Sequence, residues 1–233
     1  MELHILSGGA AASLVNSLKA DFEAAHGCQI HGTFSAVGAM KEKLLHGERC
    51  DLLILTRSLM DGLVASGDVR PGTLRDLGVV KTGIAVKHGS PHPAIATRAD
   101  LQAAFRAAEG IYFPDPQLAT AGIHFFKVLQ TLGLDVELAD RFHTFPNGTT
   151  AMHAMAQAKG AHVMGSTQVT EIKYTPGIDL VGVLPQEFEL ATMYALGIPT
   201  RAHEPALAQQ LADVLASHET RTLRTSSGFE LRD

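Results

Sequence analysis

Apolar runs of strand length alternate with segments of helical periodicity along nearly the whole chain, and that alternation points to a parallel α/β architecture. Leu3 to Leu6 reads as the first strand. Leu14, Leu18 and Phe22 then recur at i, i+4 and i+8 on one helix face, and Gly27 stops that helix as a C′ glycine does. Gln29 to Phe34 forms a second strand, followed by a helix through Leu44 and Leu45 that Gly47 ends. "CDLLILT" gives a third strand, apolar enough to be fully buried. Three βα units with short loops before Ala65 predict a doubly wound sheet.

The pattern continues with a change of character. "VVKTGIAV", from Val79 to Val86, is a long strand interrupted at Gly83, and "HGSPHP" breaks the chain after it. A helix from Asp100 to Ala108 and the strand "GIYFPDP" follow. Thr120 is the expected N-cap of the helix in "TAGIHFFKVLQTLGL", which Gly133 stops. "FPNGTTAMHAMAQAKG" reads as loop and helix, "AHVMGS" as strand, "TQVTEI" as helix and "DLVGVLP" as strand. "FELATMYALGIP" is long and mixed like the stretch around Gly83, and a last helix covers Pro205 to Leu215. The expected organisation is two α/β lobes joined by two crossing strands. Residues 1–82 and 190–233 make the first lobe and 83–189 the second, with an anion cleft between them.

Composition narrows the function classes. The formal net charge of −5 argues against a nucleic-acid partner, which calls for a basic face. No apolar stretch approaches the roughly 18 residues that span a bilayer, so no membrane insertion is expected. The N-terminus lacks the basic segment, apolar core and cleavage site of a signal peptide. As given, the chain reads as cytoplasmic, or periplasmic if a leader was removed. Cys28 and Cys50 form no CxxC pair and read as buried free thiols. Twelve histidines are scattered, and no HxH pair and no HxxxH on a helical stretch supports a metal site, so no metal and no cofactor is expected.

The strand-to-helix turns carry the chemistry. In a parallel sheet, ligands bind outside the strand carboxyl ends, where helix N-termini present free N–H groups and positive dipole ends. Small or hydroxyl residues stand at five such places. They are Ser7, Gly8 and Gly9; Ala36, Val37 and Gly38; Ala121 and Gly122; Asn147, Gly148 and Thr149; and Ser166, Thr167 and Gln168. Small residues let a ligand approach the backbone, and Asn147 and Gln168 add amide donors. "SGGAAASL" lacks the lysine of a P-loop and the third glycine of a dinucleotide loop, and Asp51 lies too far along to serve as a ribose acid. No GxSxG is present. His124, in the first turn of its helix, is the one candidate catalytic acid or base. Glu171, three residues after Gln168, reads as an ordinary helix carboxylate.

The stretches "FSAVGAMKEKLLHGERCDLLILT", "PDPQLATAGIHFFKVLQTLG" and "ELATMYALGIP" resemble the type II periplasmic binding proteins, and within them the molybdate-binding proteins of ABC importers. The resemblance spans nearly the whole chain. It implies two lobes closing on a small oxyanion, with an ABC transporter as partner if the protein is exported. That family places serine hydroxyls on the ligand from the first two loops. This chain has Ala10 and Ala36-Val37-Gly38 there, and Met164 where the family often has tyrosine. Those exchanges favour a ligand with carbon between its charges, such as a small polycarboxylate. Aconitate isomerase resembles the same family, so the alternative reading is a cytosolic isomerase or tautomerase of a small unsaturated polycarboxylate.

Overall fold

The computed structural model describes residues 1–231, which divide into two compact units. Unit 1 comprises 1–80 and 192–231, and unit 2 comprises 81–191.

Unit 1 opens with β1 (Glu2–Gly8), a 3-10 turn (Gly9–Ala11) and α1 (Ala12–His26). Then come β2 (Gln29–Ser35), α2 (Val37–Leu45), β3 (Leu52–Thr56) and α3 (Arg57–Ala65). β1 runs parallel to β2, from Glu2↔Gln29 to Gly8↔Ser35, and parallel to β3 on its other side, from Ile5↔Leu52 to Ser7↔Ile54. Gly27 takes φ +60° at the end of α1, as its position as a helix stop requires. Leu52 to Leu55 are at 0% exposure, the mark of a strand covered on both faces. Each such side chain contributes roughly 1.5–3 kcal/mol on burial.

The chain leaves unit 1 within β4 (Arg75–Lys87). Unit 2 continues with α4 (Arg98–Ala107), β5 (Gly110–Pro114), α5 (Thr120–Thr131), β6 (Phe142–Phe145), α6 (Gly148–Ala156), β7 (Val163–Gln168), α7 (Val169–Tyr174) and β8 (Ile178–Val183). The strand order is β4-β7-β5-β6, with β8 paired to β4. β5 is parallel to β6 and β7, while β4 runs antiparallel to β7 and β8. The chain returns through β9 (Ala191–Gly197), which pairs antiparallel with β3, and ends with α8 (Pro205–Ala216) and α9 (Arg221–Ser227).

Several expectations shift. β4 is not interrupted at Gly83: a Cβ there would lie 2.9 Å from Leu180 Cδ1 and 3.1 Å from the Gly182 carbonyl, so the glycine admits β8 against a continuous strand. The N-cap of α5 is Ala119, not Thr120, which is already helical. Asp115 Oδ1 accepts the N–H groups of Gln117 and Leu118 and sets that turn earlier. Ser166, Thr167 and Gln168 are not a turn but the end of β7, paired with Ile84, Gly83 and Thr82 of β4. The short elements β6 and α9 lack the apolar periodicity that marks the others. Among the described residues no helix is long and apolar enough to cross a membrane.

Candidate functional site

In unit 1 the carboxyl ends of β1, β2 and β3 lead into the 3-10 turn and α1, into α2 and into α3. The N-cap positions are Gly8, Ala11, Ala36 and Thr56, and none provides a side-chain cap. The N-terminal N–H groups therefore have no acceptor on the N-cap side chain. By contrast α4, which starts after a long loop, carries a complete capping box from Thr97 and Asp100. Gly8 is a glycine because a Cβ would stand 2.7 Å from Val37 Cγ1 and 3.1 Å from Tyr194 Cε1. Ser7 is fully buried and spends its proton on the Gly8 carbonyl, 2.8 Å away. Gly9, Ala10 and Gly38 add backbone only, so this part of unit 1 is a wall of peptide groups with Val37 over it.

Unit 2 is built around β7, whose side chains alternate between two faces. Thr82, Ile84 and Val86 of β4 stand opposite Gln168, Ser166 and Met164. Ile84, Val86 and Met164 pack with Phe105 of α4 and Phe125 and Leu129 of α5. Met164 thus belongs to the apolar core and does not mark the strand's carboxyl end. At that end the same face turns polar. Thr82 Oγ1, Ser166 Oγ, both amide atoms of Gln168 and, just beyond, Thr170 Oγ1 are buried without a hydrogen-bond partner.

The other face of β7 is satisfied. A Cβ on Gly165 would lie 2.6 Å from Met152 Cε, which places α6 on this side. Thr167 Oγ1 donates to Glu171 Oε2 at 2.5 Å, and the N–H groups of Thr149, Gln168 and Gly148 also donate to that carboxylate. Gly148 admits no side chain, since a Cβ would fall 1.9 Å from Thr167 Oγ1 and 2.1 Å from Glu171 Oε2. Burial pushes the Glu171 carboxyl above its ordinary range, with the Thr167 hydroxyl and the backbone donors opposing the shift. Glu171 is therefore no ordinary helix carboxylate, because it supplies an internal carboxyl acceptor to the start of α6. Asn147 Oδ1 is committed to the same turn, accepting from Thr150 N and Oγ1, each at 2.9 Å.

The first turn of α5 carries Ala121 and Gly122. A Cβ on Gly122 would sit 2.3 Å from the carbonyl oxygens of Pro114 and Asp115, so this glycine lets the helix start lie directly on the end of β5. Two residues on, His124 donates from Nε2 to the Phe188 carbonyl at 2.7 Å, leaving Nδ1 for other use. Cys28 and Cys50 are free and buried, and burial pushes the Cys50 thiol up to about 12, which removes it as a nucleophile at neutral pH.

Sequence reading missed Thr82 and Thr170. Their signal is weak: one is a hydroxyl inside an apolar strand, which the register sets opposite Gln168, and the other lies on a short helix two residues after Gln168.

Known proteins give this arrangement a context. The sequence profile of the family described as "Bacterial extracellular solute-binding protein" matches residues 3–230. An aconitate isomerase from a Pseudomonas species is 25% identical over 98% of this chain and 87% of its own length. The periplasmic molybdate-binding protein of Azotobacter vinelandii superposes with a TM-score of 0.79 at 18% identity, over 99% of this chain and 100% of that one. The sulfate-binding protein SubI of Mycobacterium tuberculosis superposes at 0.75 and 15% identity, over 100% of this chain and 88% of that one. Both likenesses lie in the fold.

Proposed function

The chain belongs to the bacterial extracellular solute-binding protein family, and we propose that it binds one small anion, an oxyanion or a small polycarboxylate, at the carboxyl ends of its strands. One observation carries the reading: the unpartnered atoms of Thr82, Ser166, Gln168 and Thr170 at the end of β7. A buried polar group without a partner costs about 1–3 kcal/mol, and native structures rarely keep several together. A ligand with acceptor oxygens would take the hydroxyl protons and the Gln168 amide. Within the same unit, the uncapped turn at Ala121 and Gly122 supplies neutral donors of the kind that hold anions without a basic residue.

Relatives in this fold are named for molybdate and sulfate. Glu171 already holds the α6 start, so Gly148, Thr149 and Thr167 act by positioning that turn. An importer of the ABC type is the partner this reading calls for on the outer side of a membrane. Thermal unfolding and calorimetry with molybdate, tungstate, sulfate, citrate and trans-aconitate test it. At a hundredfold excess over Kd, one of these anions should add about 2.7 kcal/mol of stability. A flat response to all of them would sink the proposal.

The full-length similarity to an aconitate isomerase favours a second reading, an allylic isomerase. One C–H bond of the substrate breaks, the double bond moves by one position and a proton returns to the far carbon, with no net oxidation. His124 would shuttle that proton through Nδ1. Proton NMR of cis- and trans-aconitate with the protein in D₂O should then show interconversion and deuterium uptake, and H124Q should abolish both.

A further inference from the structure

At the other end of β1 and β2 three side chains converge that the anion reading does not use. His4 and His31 are register partners on parallel strands, with rings stacked at 5.0 Å between centroids. Glu2 lies two residues before His4 and therefore on the same face of the strand. One ligand atom from each of Glu2, His4 and His31 lies within 4.8 Å of the others. His4 Nε2 is buried without a hydrogen-bond partner, and its nearest charged neighbour is Glu2 Oε2 at 3.6 Å, beyond hydrogen-bond length. The His4 backbone is fixed, since its N–H donates to Oδ2 of the buried Asp51 at 2.9 Å. His31 and Glu2 are exposed and free to move toward it.

We propose that Glu2, His4 and His31 form a site for a borderline divalent cation, zinc foremost, that ties the edge strand β2 to β1. Two imidazoles and a carboxylate are a donor set zinc accepts, with a fourth position left to water. Zinc–ligand bonds of about 2.0–2.2 Å need the donors closer together than they stand, and rotamer shifts of the two exposed side chains bring them in. Arg49 is the internal competitor, because its Nη1 pairs with Glu2 Oε2 at 3.2 Å. Lys19 and Glu48 line the same surface hollow without joining the donor set.

Sequence spacing had no way to signal this pairing, because the two histidines are joined only by strand register.

The test uses tag-free, EDTA-treated protein titrated with zinc chloride by calorimetry, and with cobalt(II) by visible absorption. The expected result is one zinc per chain, a rise in melting temperature and a cobalt spectrum of low coordination number. H31A removes an exposed ligand without disturbing the core and should weaken zinc binding at least tenfold. R49Q frees Glu2 and should tighten it at least threefold. Circular dichroism verifies that both variants fold. Absence of a stoichiometric zinc step, H31A binding within threefold of wild type, or R49Q binding no tighter than wild type would each overturn the proposal.

Discussion

Ser166 and Gln168 carry polar groups into the same buried strand end as Thr167, yet only Thr167 has a partner for its side chain. Its hydroxyl reaches Glu171, and the carboxylate collects three backbone N–H groups as well. One residue to either side the strand presents the opposite face, and there the polar atoms of Ser166, Gln168 and Thr82 stand without partners. Burial is equal on the two faces, so the difference lies in whether the chain has supplied an internal carboxyl acceptor. On the α6 side it has. On the α5 side it has not, and the unpartnered cost there is what a protein pays when a polar end is reserved for a ligand.

If that contrast is real, substitutions on the two faces change stability with opposite sign. The largest effect belongs to Gly148→Ala on the satisfied face. The added Cβ cannot coexist with Thr167 Oγ1 at 1.9 Å and Glu171 Oε2 at 2.1 Å, so the carboxylate network must open. We expect a loss of about 3 kcal/mol in urea unfolding, at the upper end of overpacking costs. A loss under about 1 kcal/mol would show that the network is loose.

Gln168→Leu tests the unpartnered face. It replaces two orphaned amide atoms by carbon at nearly constant volume, and the ligand-free protein should gain about 1–2 kcal/mol. The same variant should lose anion binding by at least tenfold in calorimetry. Stability and affinity moving in opposite directions identify a ligand contact. A Gln168→Leu protein destabilised like Gly148→Ala would erase the difference between the faces. Thr82→Val is the milder form, with one hydroxyl removed, an expected gain of about 0.5–1 kcal/mol and a smaller loss of affinity.

The same comparison explains what the sequence disclosed. Strands and long helices were legible because apolar period and glycine stops are local: Leu14, Leu18 and Phe22 mark α1, Gly27 ends it, and "DLLILT" marks β3. The long mixed stretches that became β4 and β9 are where the sequence reading placed its two crossings between lobes. The site was legible only as small residues at turns. Why each is small was not, since Gly122 accommodates the backbone of Pro114 and Asp115, and Gly148 accommodates Glu171. Thr82 and Gln168, like His4 and His31, are joined by register between distant strands. No spacing rule along one chain reports that.

The subtlest expectation concerns pH, and it probes the Glu171 carboxyl itself. Burial holds the Glu171 carboxyl above the ordinary value of 4.5, with the Thr167 hydroxyl and backbone donors only partly offsetting it. The folded protein therefore keeps a proton that the unfolded chain gives up. Stability from this group is fully present below the unfolded value and is lost as pH rises through the folded one. Glu171→Gln has no such proton, and its amide oxygen still accepts the backbone N–H groups of Gly148 and Thr149. The unfolding free energy of wild type minus that of Glu171→Gln should fall as pH climbs above the ordinary carboxylate range, then level off once the folded carboxyl has ionised. Urea titrations from pH 4 to pH 8 measure this difference directly, and other titrating groups cancel between the two proteins. A difference that rises with pH would mean the three backbone donors outweigh burial and stabilise the carboxylate. The satisfied face would then be a true anion site, filled by the chain's own side chain.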